Sequence, residues 1–220
     1  MAASPKQASE KADSYSAQDI EVLEGLEPVR RRPAMYIGGS DERAMHHLAA
    51  ELLDNSMDEA VAGHANWIEF ELASEGTVTI RDNGRGIPVD SHPKFKDKSA
   101  LEVVMTTLHS GGKFSNKVYD TSGGLHGVGL SVVNALSDQM TVEVARDKIL
   151  YVQEYSKGAP LGKLENNGPV RRRGTTVKFH PDPEIFGTTS RFRPNMLFKL
   201  ARSKAYLYKG VKIRWSCAPD

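Results

Sequence analysis

The stretch His47-Leu-Ala-Ala-Glu51-Leu-Leu-Asp54-Asn55-Ser-Met-Asp58-Glu59 constrains the fold of this chain more than any other. At about 100° per residue, His47, Glu51, Asn55 and Asp58 fall in one narrow band, and Ala49, Leu53, Met57 and Ala60 collect on the opposite side. The pattern predicts an amphipathic helix with a well-defined apolar face. Its polar face is unusual. Between Ala44 and His64 stand four acids, Glu51, Asp54, Asp58 and Glu59, and no Lys or Arg. Solvated helices usually interleave both signs, because like charges one turn apart repel. The carboxylates read as placed for an external cation or a reaction, with a plain acidic surface as the alternative.

Around this helix the pattern predicts the following order. Residues 1–14 offer nothing to bury and read as a flexible arm, with Tyr15 alone at its end. A helix over 19–31 rests on Ile20, Leu23 and Leu26 and stops at Pro33. Ser40 is the expected cap of the acidic helix and Gly63 its close. Residues 67–72 and 77–81 alternate as strands do, around a Ser-Glu-Gly turn. The segment Asp82-Asn-Gly-Arg-Gly-Ile-Pro88 then breaks at a strand end. Residues 100–108 return to helical spacing, and 109–129 carry six glycines (Gly111, Gly112, Gly123, Gly124, Gly127, Gly129), which says loop. An apolar helix over 128–136, strands over 140–145, 149–155 and 175–179, a helix over 195–205 and a strand over 211–215 complete the chain. Helices early and antiparallel-looking strands late predict an α+β, two-layer sandwich.

Composition narrows the function classes. The 29 Lys and Arg against 28 Asp and Glu give no global field for nucleic acid or membrane, so any such contact is local. No apolar run approaches the roughly 20 residues of a membrane helix and the N-terminus lacks a secretory core, so the chain reads as cytoplasmic. The single Cys217 excludes an internal disulfide and a cysteine-based zinc cluster.

Two further motifs carry chemistry. The loop Ser122-Gly-Gly-Leu-His-Gly-Val-Gly129 runs into a helix, so its N–H groups and the helix dipole suit an anion such as phosphate, and Lys113 behind Gly111-Gly112 adds a point charge. No Gly-Lys-Ser/Thr ends it, so it is not a Walker A loop, and a plain flexible loop is equally compatible. Asp82 beside Gly84 and Gly86 can accept from an exocyclic amine while the missing side chains let a flat ring approach; an ordinary turn is the alternative.

In series, Glu51-x-x-x-Asn55, Asp82-x-Gly84-x-Gly86, Gly124-x-His126-Gly127-x-Gly129 and Gly174-Thr175 resemble the ATP-binding fold of the GHKL superfamily. Within it the chain, from Tyr15 almost to its end, is similar to the ATPase domain of bacterial type IIA topoisomerase B subunits. Gly25-Leu-Glu-Pro-Val-Arg-Arg-Arg-Pro33, Met35-Tyr36-Ile37-Gly38, Gly111-Gly112-Lys113-Phe114 and residues 122–134 carry the likeness. Glu27 to Pro33 and Ser115-Asn116-Lys117 look more like the topoisomerase IV branch than the DNA gyrase branch.

The resemblance implies a mixed, mostly antiparallel sheet with helices on one face, a domain over 15–220, and ATP with Mg²⁺. Glu51 would be the general base for the water attacking the γ-phosphate and His47 would orient it; Asn55 would bind Mg²⁺. Asp82 would take the adenine amine with Thr175, while Gly86, Ile87 and Pro88 wall the ring. Arg85 would pair with Glu59, and Arg146 would sit on the rim that aminocoumarins contact. Gly111, Gly112, Lys113, Tyr119 and the backbone of Gly124, Leu125, His126, Gly127, Val128 and Gly129 would close over the phosphates, and Tyr15 would reach the nucleotide site of a second protomer. Expected partners are that second B subunit, the topoisomerase A subunit and DNA, with no membrane. Such proteins draw a further lysine from a domain beyond residue 220, so slow hydrolysis and a largely monomeric state are expected. A histidine-kinase catalytic domain and a non-catalytic nucleic-acid module resting on the Arg30–Arg32 and Arg171–Arg173 runs are the rivals. Those runs, and His46, His64 and His180, otherwise read as solvated or structural.

Overall fold

The computed structural model describes residues 17–111 and 127–218. The 1–14 arm lies outside them. The acidic helix forms as expected: α3 (Glu42–Val61) follows the short α1 (Glu27–Arg31) and α2 (Ala34–Ile37). Its cap is Asp41, not Ser40. Asp41 has extended backbone and its carboxylate accepts from the Ala44 N–H at 2.8 Å, satisfying one of the orphan donors of the first turn. Gly63 follows the last turn at φ +77°, and its N–H reaches the Ala60 carbonyl, the left-handed exit that glycine accommodates best.

The predicted helix over 19–31 contracts to a short 3₁₀ turn at Ala17–Asp19 and to α1. Pro28 explains the late start, since it lacks an N–H and is tolerated only in a first turn. Arg30 is not a solvated helix end. Its guanidinium donates to the Ala135 carbonyl at 2.7 Å and to the buried Asp182 carboxylate at 2.7 Å, tying the N-terminal helix to the far end of the sheet.

One twisted sheet carries the fold. It contains β1 (Trp67–Leu72), β2 (Val78–Asp82), β5 (Ser137–Arg146), β6 (Ile149–Ser156), β7 (Ala159–Pro160), β8 (Glu165–Pro169), β9 (Gly174–Pro181) and β10 (Lys212–Cys217), in the order β10-β1-β2-β9-β5-β6-β7, with β8 also on β6. Only the β1–β10 pair is parallel. A separate hairpin, β3 (Ser91–His92) with β4 (Phe95–Ser99), leads into α4 (Ala100–Thr106). The sequence pattern missed both short hairpin strands as well as β7 and β8, because short, Lys-rich and Asn-Gly segments lack the apolar alternation that marks a half-buried strand.

Register explains the core. Phe70, Ile80, Val177 and Val142 lie opposite one another across four strands, and so do Leu72, Val78, Phe179 and Met140. All eight are buried. The helices α3, α5 (Gly129–Ala135) and α7 (Pro194–Leu207) cover this face; the short α6 (Pro183–Phe186) closes one end. Ala49, Leu53, Met57 and Ala60 supply the α3 side, as their spacing predicts. Leu52, Ile80, Met105 and Val177 are core residues, whereas Val104 is half-buried and its neighbour Val103 is buried.

His46 is structural. Its Nε2 accepts from the Arg193 N–H at 2.8 Å, so Nδ1 carries the proton and donates to the Glu42 carbonyl at 2.6 Å. His180 sits on Asp138 at 2.8 Å. Arg30→Ala removes the nearer of two cations on the buried Asp182, leaving Lys157 Nζ at 3.8 Å, so it is expected to cost about 1–3 kcal/mol of unfolding free energy. Urea denaturation at unchanged slope measures it; a loss below about 0.5 kcal/mol would return Arg30 to a solvated role.

Candidate functional site

The strand β2 runs one residue beyond its predicted end, and that residue is Asp82. Its partner in the ladder is Ile68, and the alternation of buried Val78, Ile80 and Asp82 turns the carboxylate under α3. Only 3 % of Asp82 is exposed. Oδ1 accepts from the Gly84 N–H at 2.8 Å and the Thr175 N–H at 3.2 Å, and Oδ2 accepts from the Ser56 hydroxyl at 3.2 Å. Burial pushes the carboxyl from 3.8 up to about 6; the three hydrogen bonds oppose this, and the neighbouring Glu59 charge adds to it. The site therefore holds a carboxylate whose desolvation its own hydrogen bonds only partly offset.

Three glycines make room around it. A Cβ on Gly84 would lie 2.7 Å from Glu59 Oε2 and 2.9 Å from Asp82 Oδ1. A Cβ on Gly86, at φ +79°, would lie 3.1 Å from Val144 Cγ1. Gly174, at φ +109°, packs against the Asp82 carbonyl. The backbone thus approaches where a flat ring can lie. Glu59 and Arg85 pair as expected: the carboxylate takes the Arg85 N–H at 2.8 Å and its guanidinium at 2.7 and 3.2 Å, a bidentate grip. Thr175 Oγ1 accepts from the Ile87 N–H at 3.3 Å, and Arg146 donates to the Gly86 carbonyl at 3.0 Å. Pro88 is exposed beyond the half-buried Ile87.

On α3, the band predicted from spacing separates by depth. His47 and Glu51 are exposed, Asn55 is half-buried, and Asp58 is buried rather than on the open face. The absence of Lys and Arg between Ala44 and His64 does not leave every acid for an external cation. Asp54 pairs with Lys204 of α7, and Glu59 with Arg85, so other segments supply the counter-charges. Glu51 faces Gly129 at the start of α5, where a Cβ would fall 3.3 Å from its carboxyl carbon and still closer to an oxygen. That is a cradle only glycine keeps open. Among the described residues the first turn of α5 has no side-chain cap at Val128. Asn55 offers an amide oxygen, a hard donor of the kind Mg²⁺ takes. Among the described residues no hydrogen bond holds it, which fits the role, and no cluster of three or more His, Cys, Asp or Glu forms a rival metal site.

Gly111, at φ +149°, and Gly127, at φ +60°, are placed at the two ends of the glycine loop. Tyr15, Gly112, Lys113, Tyr119, Gly124, Leu125 and His126 lie outside the described residues. Sequence reasoning missed Ser56, Asn83 and Arg173. Ser56 had a usable signal, a small hydroxyl next to Asn55 inside the apolar side of the helix. The Arg171–Arg173 run is largely committed to protein: Arg172 pairs with Glu143, and Arg173 donates to the His64 carbonyl at 2.9 Å.

Comparison with known proteins agrees with this geometry. A family model described as histidine kinase-, DNA gyrase B-, and HSP90-like ATPase matches residues 40–185. The B subunit of DNA topoisomerase 4 from Caulobacter vibrioides is 62 % identical over 206 residues, 94 % of this chain and 30 % of the relative. Its counterpart from Rickettsia bellii is 61 % identical over 206 residues, 93 % of this chain and 31 % of the relative. The DNA gyrase B subunit of Thermotoga maritima is 53 % identical over 203 residues, 92 % of this chain and 32 % of the relative. The chain thus spans about 30 % of the length of the first curated relatives. Among solved structures, the 43K ATPase domain of Thermus thermophilus gyrase B in complex with an aminocoumarin superposes with a TM-score of 0.77 at 44 % identity, covering 87 % of this chain and 48 % of that one. With a match over most of its length and its glycines, acids and sheet order in place, the chain belongs to the histidine kinase-, DNA gyrase B- and HSP90-like (GHKL) ATPase family.

Proposed function

We propose that this chain is the ATP-binding and ATP-hydrolysing module of a type II DNA topoisomerase, from the B subunit of the topoisomerase IV kind, in which nucleotide binding drives closure of two protomers. The buried Asp82 carboxylate carries this reading. A base bearing an exocyclic amine supplies the donor that Oδ2 can accept, and Gly84, Gly86 and Gly174 leave space for its ring. A guanine at the same place would turn a carbonyl toward a carboxylate. The topoisomerase IV relatives at 61–62 % identity, against 53 % for the gyrase relative of Thermotoga maritima, support the paralogue; the gyrase reading is the alternative.

Hydrolysis then divides among this chain's own residues. Glu51 takes a proton from the attacking water as general base, and His47, one turn earlier, orients that water. Asn55 would hold Mg²⁺, which supplies charge neutralisation at the phosphates when bound. The glycine loop from Gly111 to Gly129, with Lys113 and Tyr119, would enclose the phosphates and exclude bulk water. Tyr15 would reach a second protomer's nucleotide, and the topoisomerase A subunit and DNA would be partners of the whole enzyme. Arg146, on the Gly86 carbonyl, marks the rim where an aminocoumarin would bind.

Calorimetric titration with a non-hydrolysable ATP analogue and Mg²⁺ tests the reading on native protein, Asp82→Asn and Glu51→Ala. Native and Glu51→Ala are expected to bind, Glu51→Ala with turnover lost by at least about 100-fold. Absence of nucleotide binding by the native protein would overturn the function.

Asp82→Asn separates binding from stability. An asparagine can keep the Gly84 and Thr175 N–H bonds through its oxygen and donate to the Ser56 hydroxyl, but it meets the adenine amine donor to donor. The native carboxyl holds its proton more tightly folded than unfolded, so its contribution to stability is full below about pH 4 and is lost as pH rises through about 6. The variant is therefore expected to bind the analogue at least about 100-fold more weakly, yet melt at or above the native temperature at pH 7, with its advantage growing from pH 4 to pH 7. A variant that melts well below native at pH 7 would contradict the strained carboxylate.

A further inference from the structure

The turn joining α3 to β1 holds both backbone segments that flank Asp82, and we propose that Asn83 and Arg173, which reach that turn from either side, are positioning residues for recognition of the adenine base. This deepens the nucleotide reading above and rests on it.

The turn is fixed first to α3. The His64 and Ala65 N–H groups both donate to the Glu59 carbonyl, at 2.8 and 3.0 Å. The side chain of the same Glu59 grips Arg85. Asn83 completes the attachment from the other side. Its Oδ1 accepts from the Asn66 N–H at 2.9 Å and the Trp67 N–H at 3.1 Å, its Nδ2 donates to Asn66 Oδ1 at 2.7 Å, and its own N–H meets the Trp67 carbonyl at 3.3 Å. Two main-chain donors converge on one side-chain atom, so that atom must be the amide oxygen, and the amide orientation follows. The peptide after Asp82 is thereby anchored outside the pocket, on the side of the strand facing away from Ser56.

Arg173 anchors the second segment. Its guanidinium donates to the His64 carbonyl at 2.9 Å, one residue before Gly174 begins β9. Gly174 then packs so closely on β2 that a Cβ there would lie 2.8 Å from the Asp82 carbonyl carbon and 2.9 Å from Asn83 Cα. The next residue, Thr175, supplies one of the two N–H donors to Asp82 Oδ1, and its hydroxyl accepts from Ile87. A rotation of the Asp82–Asn83 peptide or a slip of residues 173–174 would therefore move both N–H donors and the carboxylate together. Recognition of a single amine needs placement to within about half an ångström. The two side chains act through Asp82 and Thr175 and need not touch the nucleotide.

The roles differ from a general contribution to stability in what they move. Removing either side chain should weaken adenine recognition in a protein that is still folded. The probes are a non-hydrolysable ATP analogue and its inosine counterpart, which carries a carbonyl in place of the adenine amine, titrated with Mg²⁺ well below the melting temperature. Asn83→Ala and Arg173→Ala are expected to weaken the ATP analogue by about ten-fold each and to shrink the adenine-to-inosine affinity ratio by a similar factor. Asn83→Asp keeps the acceptor for both N–H groups and should restore most of the affinity. Asn66→Ala loses only the bond to Nδ2 and should show about a two- to three-fold loss, which keeps the test readable if Asn83→Ala does not fold. Arg171→Ala, a neighbour in the same basic run that is as exposed as Arg173 but does not carry its bond to the His64 carbonyl, should change nothing. A native protein that binds the ATP analogue while folded Arg173→Ala and either folded Asn83→Ala or Asn66→Ala keep its affinity and its ratio overturns the positioning roles alone. A native protein that binds no adenine nucleotide overturns the reading beneath them.

Discussion

The structure depends on one carboxylate that is almost wholly buried. Asp82 stands at the end of β2 with one oxygen accepting from two main-chain N–H groups and the other from Ser56. Everything nearby serves its geometry. Gly84 and Gly174 let the chain pass close, Glu59 keeps Arg85 to one side, and α3 roofs the site from above. Remaining desolvation is left in the free protein as a raised pKa, and a donor from outside relieves it. Binding affinity and cost in stability are then two sides of one arrangement.

α3 has two jobs that its composition alone does not separate. Its apolar face is common core, packed on β1, β2 and β9. Its acids divide by direction. Asp54 turns to Lys204, Glu59 to Arg85, Asp58 inward, and Glu51 toward Gly129 at the start of α5. In the proposed reading one helix would connect the base end of the pocket, through Ser56 and Glu59, with the phosphate end, through Glu51 and Asn55.

Much of this was legible in the sequence. Strand and helix order came from apolar periodicity, and β1 came with its bounds, because alternation is strong where one sheet face is buried. The pairing of Glu59 with Arg85 came from the family likeness. What was not legible lies where main chain does the work. Asp82 was expected after the strand and stands within it, because a ladder partner at Ile68 leaves no trace in composition. Asp41 took the capping place given to Ser40, since adjacent residues of equal capping power are decided by backbone direction. Arg30, Arg172 and Arg173 looked like solvated charge because their partners, Asp182, Glu143 and the His64 carbonyl, are distant in the chain.

The two donors on Asp82 Oδ1 are peptide N–H groups, and no replacement other than proline can delete them. At residue 84 a larger side chain would strike Glu59, and at residue 174 it would strike the Asp82 carbonyl. In the proposed reading, variation in this region would thus be channelled outward, to rim positions such as Arg146. A small molecule that drew its affinity from the floor alone would face a target with few viable escapes, whereas one that leaned on Arg146 would meet a side chain that selection is free to change.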